Sequence, residues 1–249
     1  MTPFEQFAPV LQSDTAPIVG DPRLLMDSEE GVSIYYAPFE YNNPSAKIVL
    51  VGITPGPTQM VNANNEARRS LLNGFDYDAA KKNAKETGGF SGEPMRSNLI
   101  KQLNHWGVHK WLNLNDSSEL FSTARHLLQT TSLLRYPVFV DEKGYNGKPN
   151  MMNSLILKQY LFDHFVNDVS SLENAIFFPL GSAVTKVIDA LVKQGSIDEN
   201  KVATGLFHPS GQNTYRVEYS IGDRSQSIPH ATNLIPYDQG RVDFRSRFL

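Results

Sequence analysis

The chain contains no cysteine among its 249 residues. Disulfides, thiolate zinc sites, cysteine nucleophiles and a cysteine-ligated iron–sulfur cluster are therefore excluded. A basic tail or arginine-rich block is also lacking, and the formal net charge is −3. A nucleic-acid partner would have to bind a local basic patch, because the overall charge of the protein offers no attraction.

Long apolar runs are lacking as well. No stretch approaches the roughly 18 apolar residues that a membrane span needs. The N-terminal segment MTPFEQFAPVLQSD has neither the basic start nor the apolar core of a signal peptide. We therefore expect a cytoplasmic protein with no membrane partner. Its length and its 40% hydrophobic content suit a single domain over residues 1–249, and we expect a monomer.

The most informative stretch is residues 46–57, AKIVLVGITPGP. The apolar run from Ile48 to Val51 is typical of a parallel strand that is buried on both faces. Two glycines and two prolines follow between Gly52 and Pro57, and they cannot continue a strand. Ligands of open α/β sheets bind where parallel strands end, so we expect any chemistry at this point of the chain.

Other apolar patterns predict helices that alternate with strands. The predicted helices lie at residues 4–11, 93–106, 152–169 and 182–194, with two more helical stretches between 62 and 87. The other predicted strands lie at residues 32–41, 127–132, 175–180, 201–207 and 215–221. We expect Pro38 to restrict its strand to a sheet edge and the Ser182 hydroxyl to cap its helix. This alternation predicts a three-layer α/β fold.

Four segments resemble the uracil-DNA glycosylase superfamily. GITPGP at 52–57 is most like the GMNPGP form of the single-strand-selective monofunctional uracil glycosylases and the GINPG form of the mismatch-specific ones. HPSGQN at 208–213 is similar to the second motif of the superfamily, and TGGFSG at 87–92 resembles a loop whose phenylalanine stacks on a flipped base. LGSAVTKVI at 180–188 resembles the stretch after the third strand of the family.

This resemblance covers roughly residues 46–213 and implies both a fold and an activity. The fold would be a three-layer α/β/α sandwich around a four-stranded, mainly parallel sheet. The activity would be that of a DNA glycosylase, which flips a nucleotide out of the stack and hydrolyses its N-glycosidic bond. Uracil or another deaminated base in DNA would be the substrate, as in base excision repair.

Roles for individual residues follow from the same resemblance. His208 matches the histidine that donates a hydrogen bond to the departing base, and a neutral imidazole stabilises such an anion as an oxyanion hole does. Phe90 would stack on the base. Thr54 stands where the family uses Asp or Asn to activate or hold the attacking water; a threonine hydroxyl orients water but is a very poor base.

Further residues are implied to contact the base or the DNA. Base-binding positions would be Ile53 and, on the second strand, Thr130 or Thr131, where the family usually has an Asn. The residues expected to contact DNA are Gly56, Pro57, Pro209, Ser210, Gly211, Gln212 and Asn213. Gln212 falls where family members insert a wedge side chain into the stack.

Two other interpretations stay open because Thr54 and the strand threonines depart from the family pattern. The protein would then be a noncatalytic member that binds a nucleobase, nucleotide or DNA, or else a hydrolase of free nucleosides. A basic stripe beside His208 would favour DNA, and the candidate residues for it are Arg216, Arg96 and Lys101. Asp76 or Asp78 would replace the missing base if their loop folded over the pocket.

No cofactor is expected, and no metal site. His105 and His109 are four residues apart, but no carboxylate pair frames them, as a metal site would require.

Overall fold

The structure, a computed structural model, describes residues 1–223 and 233–249, and it has the predicted α/β class. The strands are β1 Leu25–Glu29, β2 Val32–Tyr35, β3 Ile48–Gly52, β4 Leu128–Ser132, β5 Val138–Val140, β6 Lys143–Gly144 and β7 Ile176–Pro179. The helices are α1 Pro3–Gln12, α2 Pro57–Leu72, α3 Tyr77–Gly88, α4 Met95–Trp106, α5 Val108–Trp111, α6 Leu155–Tyr160, α7 Asn167–Val169, α8 Ser182–Lys193, α9 Thr214–Ser220 and α10 Ile235–Phe248. A π-helical segment, Leu161–Val166, joins α6 to α7. Short 3₁₀ turns lie at Pro22–Leu24, Ser117–Phe121, Arg125–Leu127, Glu199–Lys201 and Gly211–Asn213.

The chain forms two units, and each is assembled from three separate stretches of sequence. The first unit contains Met1–Asn42, Ile53–Ser91 and Thr130–Ser171. The second contains Asn43–Gly52, Gly92–Gln129 and Leu172–Leu249. Neither unit is continuous in sequence, and the expectation of one domain over residues 1–249 stays a prediction.

The second unit contains the strand predicted to be buried on both faces. All five residues of β3 are buried, and β3 pairs in parallel with β7, with Val51 opposite Pro179. The strand order of this sheet is β4-β3-β7, so β3 is central. A strand with a neighbour on each side and both faces covered needs apolar side chains in both directions, which explains its uninterrupted apolar sequence.

The sheet around β3 has three strands among the described residues, and the four-stranded, mainly parallel sheet stays a prediction. Residues 201–207 contribute a parallel bridge between Val202 and Phe177. The strand predicted at 215–221 is wrong, because helix α9 occupies this segment. Its buried residues, Val217 and Ser220, are three apart and share one helical face. Alternation over so few residues fits a helix as well as a strand.

The tail of the chain, which has no clear sequence pattern, contains α10, and this helix completes the aromatic core of the second unit. Tyr237 and Phe244 are seven residues apart and both contact Trp106, which is fully buried. Gly240 lies between them on the same face, where a β-carbon would collide with the Thr204 carbonyl oxygen. Packing against a narrow aromatic strip therefore holds α10. Residues 224–232 of the tail lie outside the described residues.

The first unit contains an antiparallel sheet in the order β1-β2-β5-β6. Ser33 of β2 lies opposite Ser28 of β1 on one side and Phe139 of β5 on the other. The prediction of an edge strand is therefore wrong, because β2 has a partner on both sides. Pro38 lies beyond the end of β2 at Tyr35, so it removes no ladder hydrogen bond.

The predicted helices are present with shifted ends, and α2 begins at Pro57 rather than at residue 62. Gly181, with φ +88°, is the N-cap of α8, and no side chain caps this helix. The Ser182 hydroxyl is thus not the cap, because Ser182 is already the first helical residue. The helix predicted over 152–169 is present as α6, the π-helical segment and α7. No helix among the described residues is long and apolar enough to span a membrane.

Candidate functional site

A pocket in the first unit brings together residues from three distant parts of the sequence. Its empty space is about 260 Å³ when the open solvent at its mouth is counted, whereas the enclosed part is about 10 Å³, room for about one water molecule. Its polar lining residues are Gln59, Lys85, Thr130, Thr131, Ser132 and Arg135. The others are Phe39, Pro55, Gly89 and Phe90. Three of the predicted base-binding residues, Phe90, Thr130 and Thr131, thus line one pocket, whereas Ile53 does not line it.

The loop that carries Phe90 is held tightly against its neighbours. A β-carbon on Gly89 would collide with Oγ1 of Thr130, and one on Gly88 would come within 2.8 Å of the Ala63 β-carbon. Glycine is therefore needed here for close approach, since it alone lacks a β-carbon. Phe90 itself is 4% exposed and has φ +48°, an uncommon value for a bulky residue. Its N–H donates to Oε1 of Gln59 at 3.1 Å, which helps to fix the loop in this conformation.

Lys85 and Arg135 also line the pocket, and no pattern in the sequence indicates either of them. Lys85 is 3% exposed, and its Nζ donates to the Phe39 carbonyl oxygen at 2.8 Å. Burial lowers the pKa of Lys85 to about 7, although the nearby carboxylates of Asp168 and Glu40 act in the opposite direction. Arg135 contacts Asp168 at 2.6 Å. The pocket therefore has a cationic wall.

A second layer of buried titratable groups lies close to these cations. Burial is the main cause that raises the pKa of the Glu40 carboxyl and of the Tyr36 and Tyr136 phenols. Burial also lowers the pKa of His164, with a smaller contribution from Arg135. His164 packs edge-on against Tyr136, with ring centroids 5.1 Å apart. Low solvent access thus favours the uncharged forms of Glu40 and His164.

The Thr54 hydroxyl is engaged in two hydrogen bonds within the first unit. It donates to the Tyr136 carbonyl oxygen at 2.9 Å and accepts from the Val138 N–H at 3.1 Å. A hydroxyl has one proton and two lone pairs, so one lone pair remains. Thr54 can hold a water only by accepting a hydrogen bond from it. Its role in positioning water stays a prediction.

The two aspartates considered as substitute bases have other roles. Asp76 is the N-cap of α3, and its carboxylate accepts from the Ala79 N–H at 2.8 Å. The Asp78 side chain is 91% exposed and pairs with Lys81 at 2.7 Å. Both interactions are typical of the start of a surface helix.

His208 lies in the second unit, and a hydrogen bond within its own loop determines which ring nitrogen carries the proton. The Ser210 N–H donates to Nδ1 of His208 at 3.3 Å. Burial lowers the pKa of the imidazole, so the neutral form dominates near pH 7. Because Nδ1 accepts a hydrogen bond, the single proton of the neutral ring belongs on Nε2. Nε2 is then a donor, as leaving-group stabilisation requires.

Two buried amides of α4 hold the loop that carries His208. Gln102 exchanges hydrogen bonds with the main chain of Phe207, at 2.8 and 3.2 Å. Asn98 donates to the Pro209 carbonyl oxygen at 3.1 Å and to the Thr214 hydroxyl at 2.8 Å. The loop is thereby fixed on both sides of His208. This kind of support holds catalytic side chains in position.

The residues predicted to contact DNA differ in exposure. Gly211 and Gln212 are exposed, Pro209 is buried, and the Asn213 amide donates to the His208 carbonyl oxygen at 3.0 Å. In the first unit, Gly56 is the N-cap of α2 and Pro57 is the first residue of that helix. An exposed Gln212 is compatible with the predicted wedge position.

The predicted basic stripe is partly neutralised by contacts within the second unit. Lys101 pairs with Glu218 at 3.2 Å, and Arg216 donates to the Asn213 side-chain oxygen at 2.7 Å. Arg96 lies over the Phe121 ring, 5.0 Å from its centroid. Arg216 is thus joined directly to the loop that carries His208. Support for a DNA-binding stripe rests on this one contact.

Comparison with other sequences identifies a relative in Bacillus subtilis (strain 168). That protein is described as the uncharacterized protein YoxB, and it is 38% identical to this chain over 213 residues. The match covers 84% of this chain and 82% of YoxB. The chain belongs to the YoxB family. No family model matches the chain, and no solved structure does.

For this member of the YoxB family, sequence reasoning missed the cationic part of the pocket. Lys85 occurs in AKKNAKETGG, where several lysines resemble a solvated helix face. One signal for Lys85 was available in the sequence. It lies four residues before Gly89, which places it on the helical turn that leads to the loop carrying Phe90. Within residues 1–223 and 233–249, no group of three or more His, Cys, Asp or Glu side chains is placed to hold a metal ion.

Proposed function

We propose that this protein is a DNA glycosylase of the uracil-DNA glycosylase type, which hydrolyses the N-glycosidic bond of uracil or another deaminated base. The observation that carries the proposal is the pocket of the first unit, which gathers Phe90, Thr130 and Thr131. The resemblance assigns Phe90, in the segment 87–92, and either Thr130 or Thr131, on the second strand, to base binding. The parallel strand β3, the sharp turn after it and α2 starting at Pro57 agree with the same fold, in its finer form a three-layer α/β/α sandwich.

The chemistry proposed for His208 follows from its tautomer. As the glycosidic bond breaks, negative charge develops on the departing base. A neutral imidazole whose Nε2 carries the proton can donate a hydrogen bond to that charge without first losing a proton. Bond cleavage that runs ahead of nucleophilic attack needs little activation of water, so a threonine in place of a carboxylate is compatible with activity. Because the proposed substrate is DNA, the proposal includes the expected cytoplasmic location.

The test is base release from labelled oligonucleotides. Single- and double-stranded substrates would carry uracil, hypoxanthine, xanthine or mismatched thymine. We expect release of at least one base, and we expect His208→Ala to slow it by about 10²–10³-fold, the usual effect of removing one anion-stabilising donor. His126→Ala is the matched control, because His126 is an exposed histidine of the same unit. Release that His208→Ala leaves unchanged would contradict the assigned role.

A second candidate function is binding of a nucleobase or nucleotide without hydrolysis. The observation that favours it is the Thr54 hydroxyl, whose proton is already donated to the Tyr136 carbonyl oxygen. Such a protein has no group to activate water at this position. In the same assay it would bind oligonucleotides or free nucleotides, with Phe90→Ala weakening binding, and it would release no base.

A further inference from the structure

The pocket contains a cation whose charge no neighbour balances directly. Lys85 is 3% exposed, and its ammonium group donates to the Phe39 carbonyl oxygen at 2.8 Å. Among residues 1–223 and 233–249, no ion pair is formed by Lys85. A buried ammonium with no directly bound anion is unfavourable, because the more distant carboxyl groups of Asp168 and Glu40 compensate only in part for its lost hydration.

Arg135, the other cation of the pocket, differs from Lys85 in this respect. Its guanidinium is 2.6 Å from the Asp168 carboxylate, and both side chains are largely buried. The remaining acid nearby is Glu40, whose carboxyl is buried and whose Oε2 has no hydrogen-bond partner in the described part of the chain. Burial raises the pKa of Glu40, which disfavours its charged form. Lys85 is thus the cation left to meet an anionic ligand.

The residues that line the pocket around Lys85 offer chemical groups that bind flat rings. Phe90 offers an aromatic side chain, and Gly89 adds a surface without a side chain. Thr130, Thr131 and Ser132 also line the pocket, and because side chains alternate along β4, the hydroxyls of Thr130 and Ser132 share one face and can donate to or accept from the ring edge. Aromatic stacking with a few polar groups at the edge is the usual way in which proteins bind nucleobases.

We propose that this pocket selects a planar heterocyclic base that carries a negative charge, as a ring carboxylate or an ionised ring N–H, with Lys85 as its counter-cation. The inference rests on the proposed function, because it takes the pocket to be the base site. It adds the substrate class: acidic bases are preferred over neutral ones of the same shape.

Binding of such a ligand has a consequence for protons. The groups that act on Lys85 are Asp168 and Glu40, which favour its charged form, and Arg135, which disfavours it. A ligand anion beside Nζ would add to the first effect and keep the ammonium charged. Any neutral Lys85 would then take up a proton when the ligand binds, so raising the pH would weaken the binding of a base that carries a ring carboxylate.

Titration calorimetry with the full chain can test this with two free bases. Orotate and uracil have the same ring, and orotate adds one carboxylate. We expect the wild type to bind orotate about 10- to 100-fold more tightly than uracil, the range of one charge-assisted hydrogen bond. Lys85→Met should abolish this preference. Lys82→Met, which removes an exposed lysine from the same helix, should retain it.

Each other outcome has a defined meaning. Equal binding of orotate and uracil by the wild type would overturn the inference and leave the proposed function standing. If inorganic phosphate displaces orotate while uracil stays bound, Lys85 binds phosphate rather than a charged base. This outcome also overturns the inference. If neither ring binds and no oligonucleotide releases a base, the proposed function itself fails. The wild-type comparison decides the matter even if Lys85→Met does not fold.

Discussion

Replacing Lys85 by methionine should change how folding stability depends on pH. Burial lowers the pKa of Lys85 from 10.5 to about 7. In the unfolded chain the amine regains its ordinary pKa, so between these two values the unfolded state binds more protons than the folded state. Stability of the wild type therefore falls as the pH drops from about 10.5 to about 7, and it stays at the lower level below that.

The magnitude follows from the difference between the two pKa values. One pKa unit corresponds to about 1.4 kcal/mol. The cost of burying the amine is then roughly 4 kcal/mol at pH ~7 and roughly 1 kcal/mol at pH ~9.5. Methionine has no such cost at either pH. The wild type should thus gain about 3 kcal/mol relative to Lys85→Met over this interval.

Urea unfolding, followed by tryptophan fluorescence at several pH values, measures this difference. The variant also loses the hydrogen bond to the Phe39 carbonyl oxygen, but that loss is the same at every pH and cancels from the comparison. Lys82→Met, at an exposed position of α3, should follow the wild type throughout. Stability curves of the wild type and Lys85→Met that stay parallel would refute the argument, because they would mean that Lys85 is charged in the folded protein throughout.

Two further predictions concern packing. Gly89→Ala should destabilise the fold by about 1–3 kcal/mol and weaken ligand binding, because the new β-carbon would collide with Oγ1 of Thr130. Gly56→Ala is the control, since Gly56 has open space around it. Equal melting temperatures for the two variants would contradict this account. Phe244→Ala should lower the free energy of unfolding, measured with urea, by about 3–5 kcal/mol, because Phe244 is fully buried against Trp106 and Trp111. A decrease below about 1 kcal/mol would show that α10 is not part of the core.

Prediction from the sequence works best where the pattern is long or contains strong breaks. β3 is identifiable because an uninterrupted apolar run ends in Gly and Pro, and few structures satisfy both features. The turn at Asn73–Gly74 between α2 and α3 is predictable for the same reason. These signals depend on the local sequence alone and not on which residues pack against it.

The remaining elements depend on tertiary contacts that local patterns do not encode. α9 resembles a strand in sequence because seven residues fit either period, and its N-terminus is held by an amide from Asn98 on a distant helix. α10 has a weak pattern because its buried face is little more than Tyr237, Gly240 and Phe244. The sheet of the first unit has strands of two to five residues, too short for reliable periodicity.

Only some residues of the candidate site could be predicted from the sequence. Phe90 stands out as an aromatic residue among glycines, and the structure places it in a pocket with Thr130 and Thr131. Lys85 does not stand out, because a helical lysine is nearly always solvated. Its burial depends on which element covers that side of α3, and this is a property of the folded chain rather than of any short segment.

The alternation of the two units along the sequence limits how this gene can be divided. The chain passes from one unit to the other after Asn42, Gly52, Ser91, Gln129 and Ser171. The shortest continuous fragment that holds the whole first unit runs from Met1 to Ser171, and for the second it runs from Asn43 to Leu249. Either fragment would carry incomplete pieces of the other unit with their apolar surfaces uncovered. A single crossover therefore cannot transfer either unit whole without also transferring part of the other.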